Sequence, residues 1–169
     1  EDDSQFTLSE AQQEAFDSIQ ENFKTFDVNL LHGVTASGKT EIYIKLLEQY
    51  IKDDKQVLFL LPEIALTTQL VQRLTAYFGN EVAVFHSKYT NNERIEVWNQ
   101  VLENSPKAKV VIGVRSALFL PFSNLGCIIV DEEHEQTYKQ HDPAPRYHAR
   151  DAAIVLAKQH NAKVLLGSA

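Results

Sequence analysis

The sequence predicts an α/β domain built on a mostly parallel β-sheet with helices on both faces. Three observations carry that prediction. Runs such as 57–61 (VLFLL) and 127–130 (CIIV) are apolar throughout, as strands covered on both faces must be. Stripes at helical spacing fall between the runs, so strand and helix alternate along the chain. A glycine-rich turn at 33–40 joins one such strand to one such helix.

The elements follow in order. Ser9 opens the first helix with Gln12 as capping-box partner, and Ala11, Ala15, Ile19, Phe23 and Phe26 form its stripe. A short strand at 28–31 comes next. A helix starts near Gly38, with Ile42, Leu46, Leu47, Tyr50 and Ile51 on one side. Strand 57–61 precedes a helix marked by Leu66, Leu70, Leu74 and Phe78. Strand 82–85 precedes a helix marked by Ile95, Trp98, Val101 and Leu102. Strands at 109–113 and 127–131, a helix at 150–160 and a strand at 164–166 complete the series. Residues 121–126 and 134–147 read as irregular, and there is no repeat or low-complexity segment.

Composition bounds the function. The chain has 169 residues, enough for one domain with a real core, and 44% apolar and 23% charged residues, as in ordinary soluble proteins. No apolar run approaches the ~20 residues of a membrane span, and the acidic start EDDSQF is neither a signal nor a transit peptide. A net charge of −7 argues against sequence-blind coating of nucleic acid and leaves room for a local basic groove. The single cysteine, Cys127, excludes an internal disulfide, and no Cys/His set for zinc is present. A reduced, cytoplasmic setting fits. The lack of any Met and the stop at GSA, directly after a strand, suggest a piece of a larger protein.

Gly33-Val34-Thr35-Ala36-Ser37-Gly38-Lys39-Thr40 matches the phosphate-loop pattern G-x-x-x-x-G-K-[ST], in the strand-to-helix context the pattern requires. Its glycines let backbone N–H groups point inward at phosphate, and the helix N-terminus adds positive potential. Gly33, Thr35, Ser37 and Gly38 form the cradle. Lys39 reaches the β- and γ-phosphates, and Thr40 offers its hydroxyl to Mg²⁺.

Such a loop needs a second strand that brings acid to the metal. IIVDEEH at 128–134 is that strand. Asp131 is placed to hold Mg²⁺ through water, and Glu132 to orient and deprotonate the attacking water. Glu133 and His134 need another explanation. No N-K-x-D motif points to a GTPase, and no L-S-G-G-Q stretch points to a transporter ATPase.

D-E-x-H after an apolar strand resembles motif II of superfamily 2 helicases. LLHGVTASGKTEIY resembles motif I, LFLLPEIALTTQ motif Ia, VIGVRSALFLPF motif Ib, and LLGSA the start of motif III. With YKQ and PRYHARD these stretches resemble the PriA family of primosomal replication-restart helicases, from about Leu8 to Ala169. The resemblance implies a RecA-like P-loop NTPase domain, the first of two, within a DEAH-type DNA helicase. The family couples ATP hydrolysis to 3′-to-5′ translocation and unwinding at stalled forks. It implies single-stranded and forked DNA, primosome proteins and single-strand-binding protein as partners. The family's N-terminal DNA-binding region, winged helix, zinc-binding cysteines and second RecA-like domain lie outside what this chain matches. Two positions depart from the family: Ala36 stands for the usual inner glycine, and Val114 for the usual Thr before Arg115.

The resemblance assigns roles that compete with plainer ones. Gln12 reads adenine or completes the capping box, and one side chain cannot easily do both. Thr67 and Thr68 meet DNA phosphate or cap their helix. Arg115 and Ser116 touch single-strand backbone, or Arg115 forms a structural ion pair. Glu63 is a turn residue. Tyr138, Lys139, Arg146 and Tyr147 lie in the family's aromatic-rich loop and stack on bases or meet phosphates. Arg150 belongs to that loop or starts a helix. His134 and Ser168 couple the nucleotide site to DNA-driven movement or bond locally. Two other classes stay open: a different superfamily 2 motor, such as an RNA helicase or restriction translocase, and a non-motor nucleotide-binding scaffold.

Overall fold

The computed structural model describes residues 6–86, 88–131 and 148–168, with backbone alone at 36 and 37. Continuous apolar runs become strands because each buries side chains on two faces. The strands are β1 Val28–Leu31, β2 Gln56–Leu60, β3 Val82–Phe85, β4 Val110–Gly113, β5 Leu125–Asp131 and β6 Lys163–Gly167. They form one sheet in the order β1-β6-β5-β2-β4-β3, and every pair is parallel. The helices are α1 Glu10–Phe23, α2 Ala36–Lys52, α3 Thr68–Phe78, α4 Asn91–Leu102 and α5 Ala149–Gln159.

Alternation along each strand builds two cores. Val57, Phe59, Val110, Ile112, Cys127 and Ile129 pack against α1, α2 and α3. Leu58, Leu60, Val111, Ile128, Val130 and Val164 pack against α4 and α5. Burial pushes the Cys127 thiol well above its ordinary range. Among the described residues, no helix is long and apolar enough to cross a membrane.

The structure moves several expected residues. α1 ends at Phe23, so Phe26 lies outside it and exposed, while Phe16 joins Ile19 and Phe23 in the core. Leu66 ends a short 3₁₀ turn at Glu63–Ala65 ahead of α3 rather than starting that helix. Residues 125 and 126 extend β5 instead of ending a loop. α4 shows the largest difference. Val97 and Val101 face the sheet, while Ile95, Trp98 and Leu102 are 55%, 42% and 53% exposed. The helix carries two apolar stripes, and periodicity does not say which of them meets the sheet. The expected irregular stretch 134–147 lies outside the described residues.

Candidate functional site

β1 ends at Leu31, and the chain turns through residues 32–35 into α2. Gly33 has φ +79°, a left-handed conformation that favours glycine. Thr35 caps α2: its Oγ1 accepts from the Gly38 N–H at 3.3 Å. Gly38 is needed for space, because a Cβ there would lie 2.9 Å from Val34 Cγ1 and 3.2 Å from Gln12 Nε2. The first turn of α2 holds no acid, so its N–H groups keep their attraction for anions. Thr40 sits half-buried in that turn, and Lys39 is 1% exposed.

Lys39 meets its counter-charge across the sheet. Leu31, Gly167 and Asp131 stand in register at the carboxyl ends of β1, β6 and β5. Lys39 Nζ lies 3.4 Å from Asp131 Oδ1. The Tyr43 hydroxyl donates to the same oxygen at 2.7 Å. The phosphate loop and the acid strand are therefore brought together, as the sequence predicts.

Sequence reading missed Tyr43 and Gly167. Tyr43 follows Lys39 by one helical turn, which puts both on one face of α2; that spacing was the available signal. Gly167 reads only as part of LLGSA, just past the strand at 164–166.

Gln12 does bridge two elements. Its backbone N–H donates to Ser9 Oγ at 3.2 Å and its Oε1 accepts from the Ser9 N–H at 2.7 Å, a complete capping box. Its Nε2 donates to the Gly38 carbonyl at 3.2 Å and to Glu41 Oε2 at 3.2 Å. The side chain thus caps α1 and holds the phosphate loop at once.

The remaining described candidates share the same edge. Thr67 caps α3 by accepting from the Leu70 N–H at 3.2 Å, and Thr68 beside it is exposed. Arg115 is half-buried and Ser116 exposed, in a 3₁₀ turn directly after β4. Val114 precedes that turn without a side-chain cap, a bond its missing hydroxyl cannot supply. Ser168 follows β6, and its N–H donates to the Leu31 carbonyl at 2.9 Å. Glu63 is more than a turn residue, since Oε1 lies 3.5 Å from His86 Nε2. Arg150 sits in the first turn of α5, 3.4 Å from Asp151. Glu132, Glu133, His134, Tyr138, Lys139, Arg146 and Tyr147 lie outside the described residues, as does the side chain of Ser37.

The donor chemistry suits a hard cation held beside phosphate. Thr40 and Asp131 offer oxygen, and Lys39 and the helix terminus offer positive charge. Among the described residues, no group of three or more His, Cys, Asp or Glu converges as a metal cage. Mg²⁺ needs none when phosphates and water complete its shell.

The chain matches the DEAD/DEAH box helicase family over residues 9–169. It is 51% identical over 167 residues to replication restart protein PriA of Haemophilus influenzae, covering 99% of this chain and 22% of that protein. It is 46% identical over 164 residues to the PriA of Bacillus subtilis, covering 96% of this chain and 20% of that protein. The chain thus spans about a fifth of the length of these curated relatives. Among solved structures, RecG bound to a three-way DNA junction superposes with a TM-score of 0.69 at 23% identity, over 97% of this chain and 21% of that one. T4 UvsW gives 0.66 at 18% identity, over 97% of this chain and 30% of that one. The fold is that of a RecA-like helicase core.

Proposed function

The chain belongs to the DEAD/DEAH box helicases, and from that premise we propose that it is the ATP-binding motor domain of a primosomal DNA helicase. The whole protein would couple ATP hydrolysis to 3′-to-5′ translocation and unwinding at stalled forks, in the cytoplasm. The observation that carries this reading is the buried Lys39, 3.4 Å from Asp131 at the carboxyl edge of a parallel sheet. Ligands of open α/β sheets bind at that edge.

Position and chemistry support the roles of the described residues, and the family resemblance those of Glu132, His134, Tyr138, Lys139, Arg146 and Tyr147. Lys39 offsets charge on the β- and γ-phosphates of ATP. Thr40 and Asp131 are the residues that would hold Mg²⁺. Bound Mg²⁺ supplies neutralisation of phosphate charge. Glu132 orients and deprotonates water, and His134 and Ser168 link the site to DNA. Gln12 reads adenine by releasing an Nε2 hydrogen from Gly38 or Glu41, while Oε1 keeps a second lone pair beside its bond from Ser9. Thr67, Thr68, Arg115 and Ser116 follow β2 and β4, which are adjacent strands, so they line one path for single-stranded DNA. Tyr138, Lys139, Arg146 and Tyr147 are assigned to DNA by their chemistry and by the family resemblance alone. A second RecA-like domain supplies an arginine for the transition state. Forked DNA, primosome proteins and single-strand-binding protein are the partners.

The test is ATP hydrolysis by the intact protein with and without single-stranded DNA, beside Glu132→Gln. DNA should stimulate turnover, and the variant should lower it by about 10²-fold or more. Stimulation by RNA instead would favour an RNA motor. Absence of any polynucleotide response would overturn the motor reading.

A further inference from the structure

We propose that Tyr43 is the positioning residue that aims Asp131 at its cation, and that Gly167 provides the gap through which it does so. The proposal rests on the reading of Asp131 as the acid that holds Mg²⁺.

Tyr43 lies in an apolar core. Its ring is fully buried and meets Phe59 edge-on, with centroids 5.4 Å apart at 76°. Phenylalanine would fill such a space without bringing in a hydroxyl. A buried hydroxyl costs free energy unless it is bonded, and this one donates to Asp131 Oδ1 at 2.7 Å.

β6 runs between β1 and β5, and the Tyr43 hydroxyl reaches Asp131 over its end, at Gly167. Gly167 is the β6 residue in register with Asp131. A Cβ at this position would overlap the Tyr43 hydroxyl and lie 2.9 Å from Asp131 Oδ1. The hydroxyl occupies space that only glycine leaves.

The bond matters most when phosphate is present. Lys39 lies 3.4 Å from the same Oδ1. When Lys39 turns to phosphate, that electrostatic hold on the carboxylate weakens. The Tyr43 bond remains, and it holds Oδ1 without bringing a second positive charge next to the cation. Outer partners of this kind typically change metal affinity by about 10–100-fold.

The experiment uses the intact protein and measures fluorescent ADP affinity with and without Mg²⁺, together with melting temperature and the Mg²⁺ dependence of turnover. Tyr43→Phe should keep metal-free ADP affinity and lose about tenfold of the Mg²⁺-dependent gain. Its turnover should recover as Mg²⁺ is raised. Gly167→Ala, which displaces the hydroxyl but keeps it, should show the same loss; it decides the matter if Tyr43→Phe does not fold. Asp131→Asn separates the two readings. If Asp131→Asn loses the Mg²⁺ response and Tyr43→Phe and Gly167→Ala do not, Tyr43 only packs and the proposal fails. If Asp131→Asn also keeps the response, the reading of Asp131 fails and the proposal with it.

Discussion

At the amino edge of the sheet, Lys109 is 5% exposed, and Nζ is caged by Asn104 Oδ1 at 2.7 Å, the Asp54 carbonyl at 3.0 Å and Asp54 Oδ1 at 3.0 Å. At the carboxyl edge, Lys39 is buried more deeply, and its carboxylate partner stands 3.4 Å away. The first lysine closes two turns. Asp54 and Asn104 both have positive φ, a conformation that short polar side chains tolerate, and both fold over Lys109. Beside it Gln56 ties three backbone groups: Nε2 donates to the Val101 carbonyl at 2.9 Å, and Oε1 accepts from the Ser123 and Asn124 N–H groups at 3.0 and 2.7 Å. The second lysine belongs to the first turn of α2, where its charge adds to the positive potential of the helix N-terminus. One edge is closed by the fold's own turns; on the proposed reading the other receives an anion.

That contrast can be broken by exchanging the consequences of mutation. The largest expected effect is on turnover. Lys39→Ala in the intact protein should lower ATP hydrolysis by about 10²-fold or more, since it removes a preorganised positive group from the transferring phosphates. Its melting temperature should stay near that of the parent. Next comes Gln56→Leu, which leaves the Ser123 and Asn124 N–H groups without their partner and takes from the Val101 carbonyl one of its two donors, the other being the Asn104 N–H. It should cost about 3 kcal/mol in denaturant unfolding and leave the chemistry of the folded site intact. A stable Gln56→Leu would mean that the amino edge is not the structural one. The smallest effect tests the outer face of α4: Ile95→Ser should change stability by less than about 0.5 kcal/mol. A larger loss would show that the outer stripe of α4 is packed.

Much of this was legible in the sequence for a physical reason. A parallel strand must be apolar on both faces, so 57–61 and 127–130 declare themselves without any alternation. Gly33, Gly38 and Lys39 are at fixed spacing because backbone curvature and phosphate reach leave few alternatives. Asp131 was legible as the acid that faces the loop because carboxylates crowded at a strand end repel one another unless positive charge stands near, as Lys39 does. What was hidden depends on the third dimension. Val97 and Ile95 are equally apolar, and only the sheet decides between them. Gln12 was expected to serve one role, yet its two amide ends serve two elements. Tyr43 stood outside the apolar stripe read for its helix, and its role was hidden because its partner Asp131 lies 88 positions away. Gly167 carries no pattern, since its meaning is the side chain it must not have.

The most direct measurement is equilibrium binding of fluorescent ADP to the 169-residue chain itself, compared in the parent, Lys39→Ala and Lys109→Ala. The account predicts binding by the parent, at least about tenfold weaker binding by Lys39→Ala, and parental affinity in whatever fraction of Lys109→Ala is folded. Equal affinity in the parent and Lys39→Ala would contradict it, because the buried lysine at the carboxyl edge would then not be the one that meets phosphate.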